Sequence, residues 1–219
     1  MPMPTCRDIF FDLDGTLVDS FPGIDFSART AMAEIYPGKQ VPDFRPFIGP
    51  PIREIFRRAL PETDPLVLDA LNAAFRRSYD EGGWARTVAY PGVLETLAAL
   101  RTGGYRCHVL TNKPLHPTER ILQYLGLMPH LGEIIAPESR APPFSSKVEA
   151  ALHMRTRLGL GAGEAMIVGD SVDDAAAAAA CGFQFTAVTY GYGNAAQQAN
   201  YLSHFTLAAF PSLGKILSS

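Results

Sequence analysis

Asp8-Ile9-Phe10-Phe11-Asp12-Leu13-Asp14-Gly15-Thr16 passes from apolar residues to paired acids and a turn within nine positions. The apolar part reads as a short buried strand, and Gly15-Thr16 turns the chain directly after it. Other short apolar runs repeat this form. Arg106-Cys107-His108-Val109-Leu110 ends at Thr111-Asn112, Glu133-Ile134-Ile135-Ala136 ends at Pro137, and Ala165-Met166-Ile167-Val168 ends at Gly169-Asp170. Thr186-Ala187-Val188-Thr189 is a fifth.

Helical patterns lie between these runs: Val93 to Arg101 before Gly103-Gly104, Thr118 to Leu125 before Gly126, Ser145 to Leu158 before Gly159, and Asp173 to Cys181 before Gly182. Glycine just past a helix is a stop signal, because it adopts the left-handed conformation without steric cost. Strands alternating with helices predict an α/β fold, a parallel sheet covered on both faces. Ligands of such sheets bind at the carboxyl ends of the strands, where the polar residues of this chain collect.

From about Asp19 to Arg86 the alternation stops. Helical stretches Asp19 to Ile35, Pro51 to Leu60 and Pro65 to Tyr79 are joined by turns at Pro37-Gly38 and Gly49-Pro50-Pro51. The expectation is a core domain of residues 1–18 and 87–219 with a helical insert over 19–86. The alanine run Ala175 to Ala180 is expected to be one helix packed closely on the sheet.

The 219 residues, 47% hydrophobic and 19% charged, have the composition of a folded globular protein. A net charge of -3 gives no general electrostatic reason to bind nucleic acid or an anionic membrane. An anionic ligand must therefore be held by local charges. Met1 to Cys6 lacks a basic segment followed by an apolar run, and Ala175 to Cys181 is far too short to span a membrane, so a cytoplasmic location is expected. Cys6, Cys107 and Cys181 lack metal-ligand spacing and read as small buried hydrophobes.

Four polar clusters stand at the ends of the expected core elements: Asp12 with Asp14, Thr111 with Asn112, Lys147, and Asp170 with Asp173 and Asp174. Carboxylates crowded into one site repel unless a cation joins them. A set rich in oxygen and lacking His and Cys suits Mg2+ rather than zinc. A lysine, a threonine hydroxyl and turn amides suit phosphoryl oxygens. An Asp carboxylate can act as nucleophile, while a second acid protonates the leaving oxygen and then activates water.

Asp12-Leu13-Asp14-Gly15-Thr16-Leu17-Val18-Asp19-Ser20 resembles the first motif of the haloacid dehalogenase superfamily in its phosphatase branch. Thr111-Asn112-Lys113 resembles the second, Lys147 the third, and Gly169-Asp170-Ser171-Val172-Asp173-Asp174 the fourth. The resemblance implies a Rossmann-like three-layer core with an inserted helical cap, and a phosphatase using Asp12 as nucleophile and Asp14 as acid and base. It implies Mg2+ held by the Asp12 carboxylate, the Asp14 carbonyl and the Asp170 carboxylate, with Asp174 behind them and Asp173 a solvated acid at a helix start. Thr111, Asn112, Gly15 and Lys147 would face phosphate. Within the superfamily, Phe47-Ile48-Gly49-Pro50-Pro51 and Tyr190-Gly191-Tyr192-Gly193 look most like the phosphoglycolate phosphatase group.

Two departures stand out. Val148 follows Lys147 where the family usually has proline, which leaves Lys113 as a competing phosphate-binding lysine. Ala199-Asn200 replaces an Ala-Asp pair common in the group.

Arg53, beside Gly49-Pro50-Pro51, is a candidate for a substrate carboxylate or phosphate, set against an ordinary surface arginine. Asp19 and Ser20 read as helix caps. The five histidines read as ordinary core or surface residues, and Phe44, Phe47, Phe56 and Phe75 as the insert's own core. The expected partner is a small phosphorylated metabolite, and the expected state monomer or homodimer. The rivals are a phosphosugar mutase, disfavoured because Phe21-Pro22-Gly23-Ile24 lacks the histidine expected after the first motif, a pyrophosphatase, and a non-catalytic phospho-ligand binding module.

Overall fold

The computed structural model describes residues 6–193 and 203–217, so residues 1–5 and the Ala199-Asn200 pair lie outside the described residues. The chain forms two compact units, Met1–Val18 with Ala89–Ser219, and Asp19–Val88. No helix among the described residues is long and apolar enough to cross a membrane.

The first unit is built on strands β1 (Asp8–Phe11), β4 (Arg106–Leu110), β5 (Ile134–Ile135), β6 (Ala165–Gly169), β7 (Gln184–Val188) and β8 (Phe205–Leu207). Their order is β5-β4-β1-β6-β7-β8, with every pairing parallel. β1 registers on one side from Asp8 opposite Arg106 to Phe11 opposite Val109, and on the other from Asp8 opposite Ala165 to Phe11 opposite Val168. All four of its residues are buried. The chain therefore runs outward from β1 in both directions, and in open α/β sheets such a reversal marks where ligands bind, at the carboxyl ends of the strands.

Successive β1 side chains face opposite layers. Phe10 joins a core of Ala150, Ala151 and Met154 of α6 (Lys147–Leu158) with Ala177, Ala178 and Cys181 of α7 (Val172–Cys181). Phe11 meets the ring of Phe210 at 5.5 Å. The alanine run thus supplies a small-residue face that allows α6 and α7 to pack closely against each other as well as against the sheet. Helices α4 (Val93–Thr102) and α5 (Leu115–Tyr124) complete this unit's longer helices. The three cysteines are buried and unpaired.

Two details depart from the sequence expectation. α5 begins at Leu115 rather than Thr118, so Pro117 lies within its first turn. Proline is tolerated there because the first helical N–H groups have no intrahelical acceptor. β8 was not anticipated: Phe205, Thr206 and Leu207 owe their strand form to pairing with Thr186, Ala187 and Val188.

In the second unit, α1 (Phe21–Ile35), α2 (Ile52–Ala59) and α3 (Pro65–Glu81) enclose Phe44, Phe56, Leu71 and Phe75. Phe56 meets Phe44 and Phe75 edge-on at 5.5 and 6.3 Å, and Phe47 is only partly buried against this cluster. Asp64 caps α3 by accepting the Leu66 N–H at 2.8 Å. At the start of α1, the Asp19 carboxylate accepts the Phe21 N–H at 3.1 Å, whereas Ser20, at the cap position, makes no side-chain cap bond. The segments β2 (Val18–Asp19) and β3 (Val88–Ala89), which lead into and out of this unit, pair as a two-stranded ribbon.

At the amino end of the large sheet, Asp8 is almost fully buried and accepts from Arg106 Nε at 2.7 Å and from His108 Nε2 at 3.1 Å. His108 Nδ1 in turn accepts the Glu133 N–H at 3.1 Å, which fixes the ring as the Nε2–H tautomer. Burial, outweighing the pull of Asp8, lowers the His108 pKa. Burial pushes the Asp8 carboxyl up, but the bonds from Arg106 and His108 bring it below its ordinary value. A ring with a depressed folded pKa stays neutral in the fold, while the unfolded chain binds the proton below about pH 6.5. Its contribution is therefore present at neutral pH and lost as pH falls. His108→Gln, which keeps a donor and an acceptor but does not titrate, should lose less stability than the unaltered chain between about pH 7 and about pH 5. Urea midpoints at the two pH values check this, and equal losses would remove His108 from the acid response.

Candidate active site

The β1–Gly15 turn places Asp12 directly past the carboxyl end of the central strand, with its N–H donating to the Val168 carbonyl at 2.9 Å. Across it stands Lys147, the first residue of α6. Ser146 caps that helix by accepting the Glu149 N–H, which fixes where the lysine enters. Lys147 Nζ donates to Asp12 Oδ1 at 2.7 Å and to Asp174 Oδ1 at 2.8 Å. Its side chain is only 3% exposed. The other Asp174 oxygen accepts from the Ser171 N–H and hydroxyl, a reciprocal cap that pins the start of α7.

Asp170 follows β6 and completes a group of three buried carboxylates, Asp12, Asp170 and Asp174, whose oxygens lie within 4.8 Å of one another. Burial raises the Asp12 pKa well above the carboxylate range; Lys147 opposes this, while Asp174 and Asp170 add to it. Burial and then Asp174 raise Asp170 to about 6, against the pull of the Tyr192 and Gly193 amides and of Lys147. Burial disfavours the Lys147 ammonium, but Asp12 and Asp174 outweigh it and raise its pKa. Three carboxylates against one ammonium leave an uncompensated negative charge in a buried, all-oxygen donor set. Such a set fits a hard divalent cation such as Mg2+.

Asp14 lies outside that group. Both of its carboxylate oxygens accept from Lys113 Nζ, at 3.2 and 3.1 Å. The two lysines that the sequence left in competition are therefore divided between different carboxylates. Thr111 is buried just past β4; its hydroxyl oxygen accepts the Lys113 N–H at 3.1 Å, and no hydroxyl-donated bond to a described residue competes for its hydrogen.

Three of the phosphate or substrate candidates have partners within the chain. The Asn112 amide, a phosphate candidate, donates to Asp173 Oδ2 at 2.9 Å, so Asp173 is tied to the site's rim rather than merely solvated. The Gly15 N–H, another phosphate candidate, donates to the Val18 carbonyl at 2.9 Å and closes the turn. What Gly15 contributes is the absence of a side chain: its φ is +88°, and a Cβ there would lie 2.3 Å from Asp170 Oδ2. Arg53 belongs to the helical unit, where it pairs with Asp69 at 2.5 Å.

Sequence reasoning did not anticipate the Ser171 contacts or the amides on Asp170. Ser171 was within reach, because a serine three residues before an acid at a helix start signals a capping box. The amides were not, since every residue but proline carries one.

The pattern that defines the haloacid dehalogenase-like hydrolases matches residues 8–182. The plasmid phosphoglycolate phosphatase of Cupriavidus necator is 36% identical over 217 residues, covering 95% of this chain and 93% of that one. The tyrosine-protein kinase PtkA of Mycobacterium tuberculosis is also 36% identical, over 191 residues, covering 85% of this chain and 63% of that one. Among solved structures, a predicted phosphoglycolate phosphatase from Haemophilus somnus superposes with a TM-score of 0.86 at 27% identity, covering 98% of this chain and 99% of that one. With the Asp12 turn, Thr111, Lys147 and Asp170 gathered at the strand ends of this fold, the chain belongs to the haloacid dehalogenase-like hydrolase family.

Proposed function

We propose that this hydrolase is a Mg2+-dependent phosphatase that cleaves a small phosphomonoester of the phosphoglycolate kind through an aspartyl phosphate on Asp12. The observation that carries the reading is the buried Asp12 carboxylate, held by Lys147 at 2.7 Å in a cluster of carboxylates that calls for a cation. The names of the Cupriavidus and Haemophilus relatives support the substrate class.

In the first step an Asp12 oxygen attacks phosphorus, the bond from phosphorus to the ester oxygen breaks, and Asp14 gives that oxygen a proton. In the second step Asp14 takes a proton from water, whose oxygen attacks phosphorus and frees the Asp12 carboxylate and inorganic phosphate. Lys113 fixes where Asp14 sits for both transfers. Lys147 orients Asp12, and the Thr111 hydroxyl donates to a phosphoryl oxygen. When bound, Mg2+ offsets the negative charge shared by the carboxylates and the phosphoryl group; Asp12, Asp170 and the Asp14 carbonyl are its proposed ligands, with Asp174 behind them. Charge stabilisation of this kind is the main source of catalysis in phosphoryl transfer.

The likeness to a protein named a tyrosine-protein kinase supports a second reading, in which the phosphoryl group passes to a tyrosine hydroxyl instead of water. Incubation with a panel of phosphorylated metabolites separates the two: inorganic phosphate without phosphotyrosine supports the phosphatase, and stable phosphotyrosine the alternative.

Asp12→Asn should abolish turnover while preserving the fold, and acid quench of a single turnover should trap an acyl phosphate in the unaltered chain alone. An active Asp12→Asn protein, checked for deamidation, would remove Asp12 as nucleophile.

Lys147→Met strips the buried carboxylates of their ammonium. Removing one partner of a buried ion pair costs about 3–5 kcal/mol, so the metal-free variant should unfold at a clearly lower urea concentration. An unchanged midpoint would contradict the charge balance described above.

Arg53→Ala should lower kcat/KM about tenfold to a hundredfold for a small carboxylated phosphate ester, the loss expected for one charge-assisted hydrogen bond, and less for an aryl phosphate. Equal losses on both substrates would make Arg53 a structural residue of the helical unit.

A further inference from the structure

The loop that leaves β7, Tyr190-Gly191-Tyr192-Gly193, has no part in the steps above, yet it is built around one of the site's carboxylates. The Tyr192 and Gly193 N–H groups donate to Asp170 at 2.6 and 3.1 Å, and both bonds fall on Oδ2. No hydrogen bond from the described residues reaches Oδ1. The loop leaves no room for adjustment: a Cβ on Gly191 would lie 2.3 Å from the Gly15 carbonyl oxygen and 2.4 Å from Asp170 Oδ2. A Cβ on Gly15 would meet the same Oδ2 from the side of the β1 turn. Two glycines from different loops thus close on one carboxylate through their backbones. The Tyr190 hydroxyl ties the arrangement down by donating to the Thr16 carbonyl at 2.8 Å, and its ring stands edge-on to Tyr90 at 4.7 Å.

An aspartate facing two other carboxylates gains by rotating away from them, so a cation site needs something that holds it in place. Ordinarily that is a hydrogen bond to the oxygen that does not bind the metal. We propose that Tyr190–Gly193 is the positioning loop of the cation site: its amides take Asp170 Oδ2, so that Oδ1 alone faces a divalent cation, and the loop thereby sets the affinity for that cation. The inference rests on the reading of Asp12 and Asp170 as cation ligands.

The two contributions of Tyr192 can be separated. Tyr192→Ala removes the ring and keeps the N–H, whereas Tyr192→Pro removes the N–H. Mn2+ binding to the full chain, followed by the electron paramagnetic resonance signal of the free ion, reads affinity without turnover. Tyr192→Pro should bind Mn2+ about tenfold to a hundredfold more weakly than Tyr192→Ala, the range for one lost hydrogen bond to a charged group.

Gly191→Ala, which displaces the loop without removing a donor, should weaken Mn2+ in the same way, and it decides the matter if Tyr192→Pro does not fold. Equal affinities in Tyr192→Pro and Tyr192→Ala, or an unaltered affinity in Gly191→Ala, overturn the positioning role while the cation site stands. No Mn2+ binding by the unaltered chain overturns the cation site and this inference together.

Discussion

Lys147 places one ammonium between two buried carboxylates, and the geometry at the end of the sheet follows from that contact. Without it, Asp12 and Asp174 would face each other across a medium too poor in water to screen them. With it, Asp12 is fixed at the end of β1 and Asp174 at the start of α7, so one side chain ties the central strand to two helices. Each partner is fixed in turn from behind, Asp174 by Ser171 and Lys147 by its place in the capped first turn of α6. The balance is deliberately incomplete in electrostatic terms. A cluster neutralised by lysines alone would have no use for a cation; one short of positive charge is suited to holding one.

Asp14 shows the same principle applied separately. Its lysine, Lys113, comes from the loop after β4 rather than from α6, so the acid proposed to move protons and the acid proposed to attack have different counter-ions. One pair can therefore be disturbed without releasing the other.

Much of this was legible from residue types and spacing. The apolar runs ending in acids or hydroxyls marked the strand ends, and Asp12, Thr111, Lys147 and Asp170 do gather there. The helix breaks at Gly159 and Gly182 follow from glycine's tolerance of positive φ, 66° and 64°. β8 escaped because three residues carry too little periodicity and become a strand only beside β7. The start of α5 escaped because Pro117 looks like a boundary when it is part of a first turn. The Asp8–Arg106–His108 network escaped because strand register, which brings residues about a hundred positions apart side by side, is not written in either segment alone. The division of labour between Lys113 and Lys147 depends on the same long-range geometry, and the Tyr192 and Gly193 contacts are made by backbone.

The pairing of β2 with β3 bears on how such a chain can change. Paired strands lie about 5 Å apart, so the chain departs for the helical unit and returns from it at almost one point. The Tyr90 N–H reaching the Leu17 carbonyl at 3.1 Å closes the gap further on the core side. An insertion whose ends already touch imposes no path on its host. The three helices are in effect a cassette, which can be lengthened, shortened or exchanged while the acids and lysines at the strand ends of the sheet keep their places.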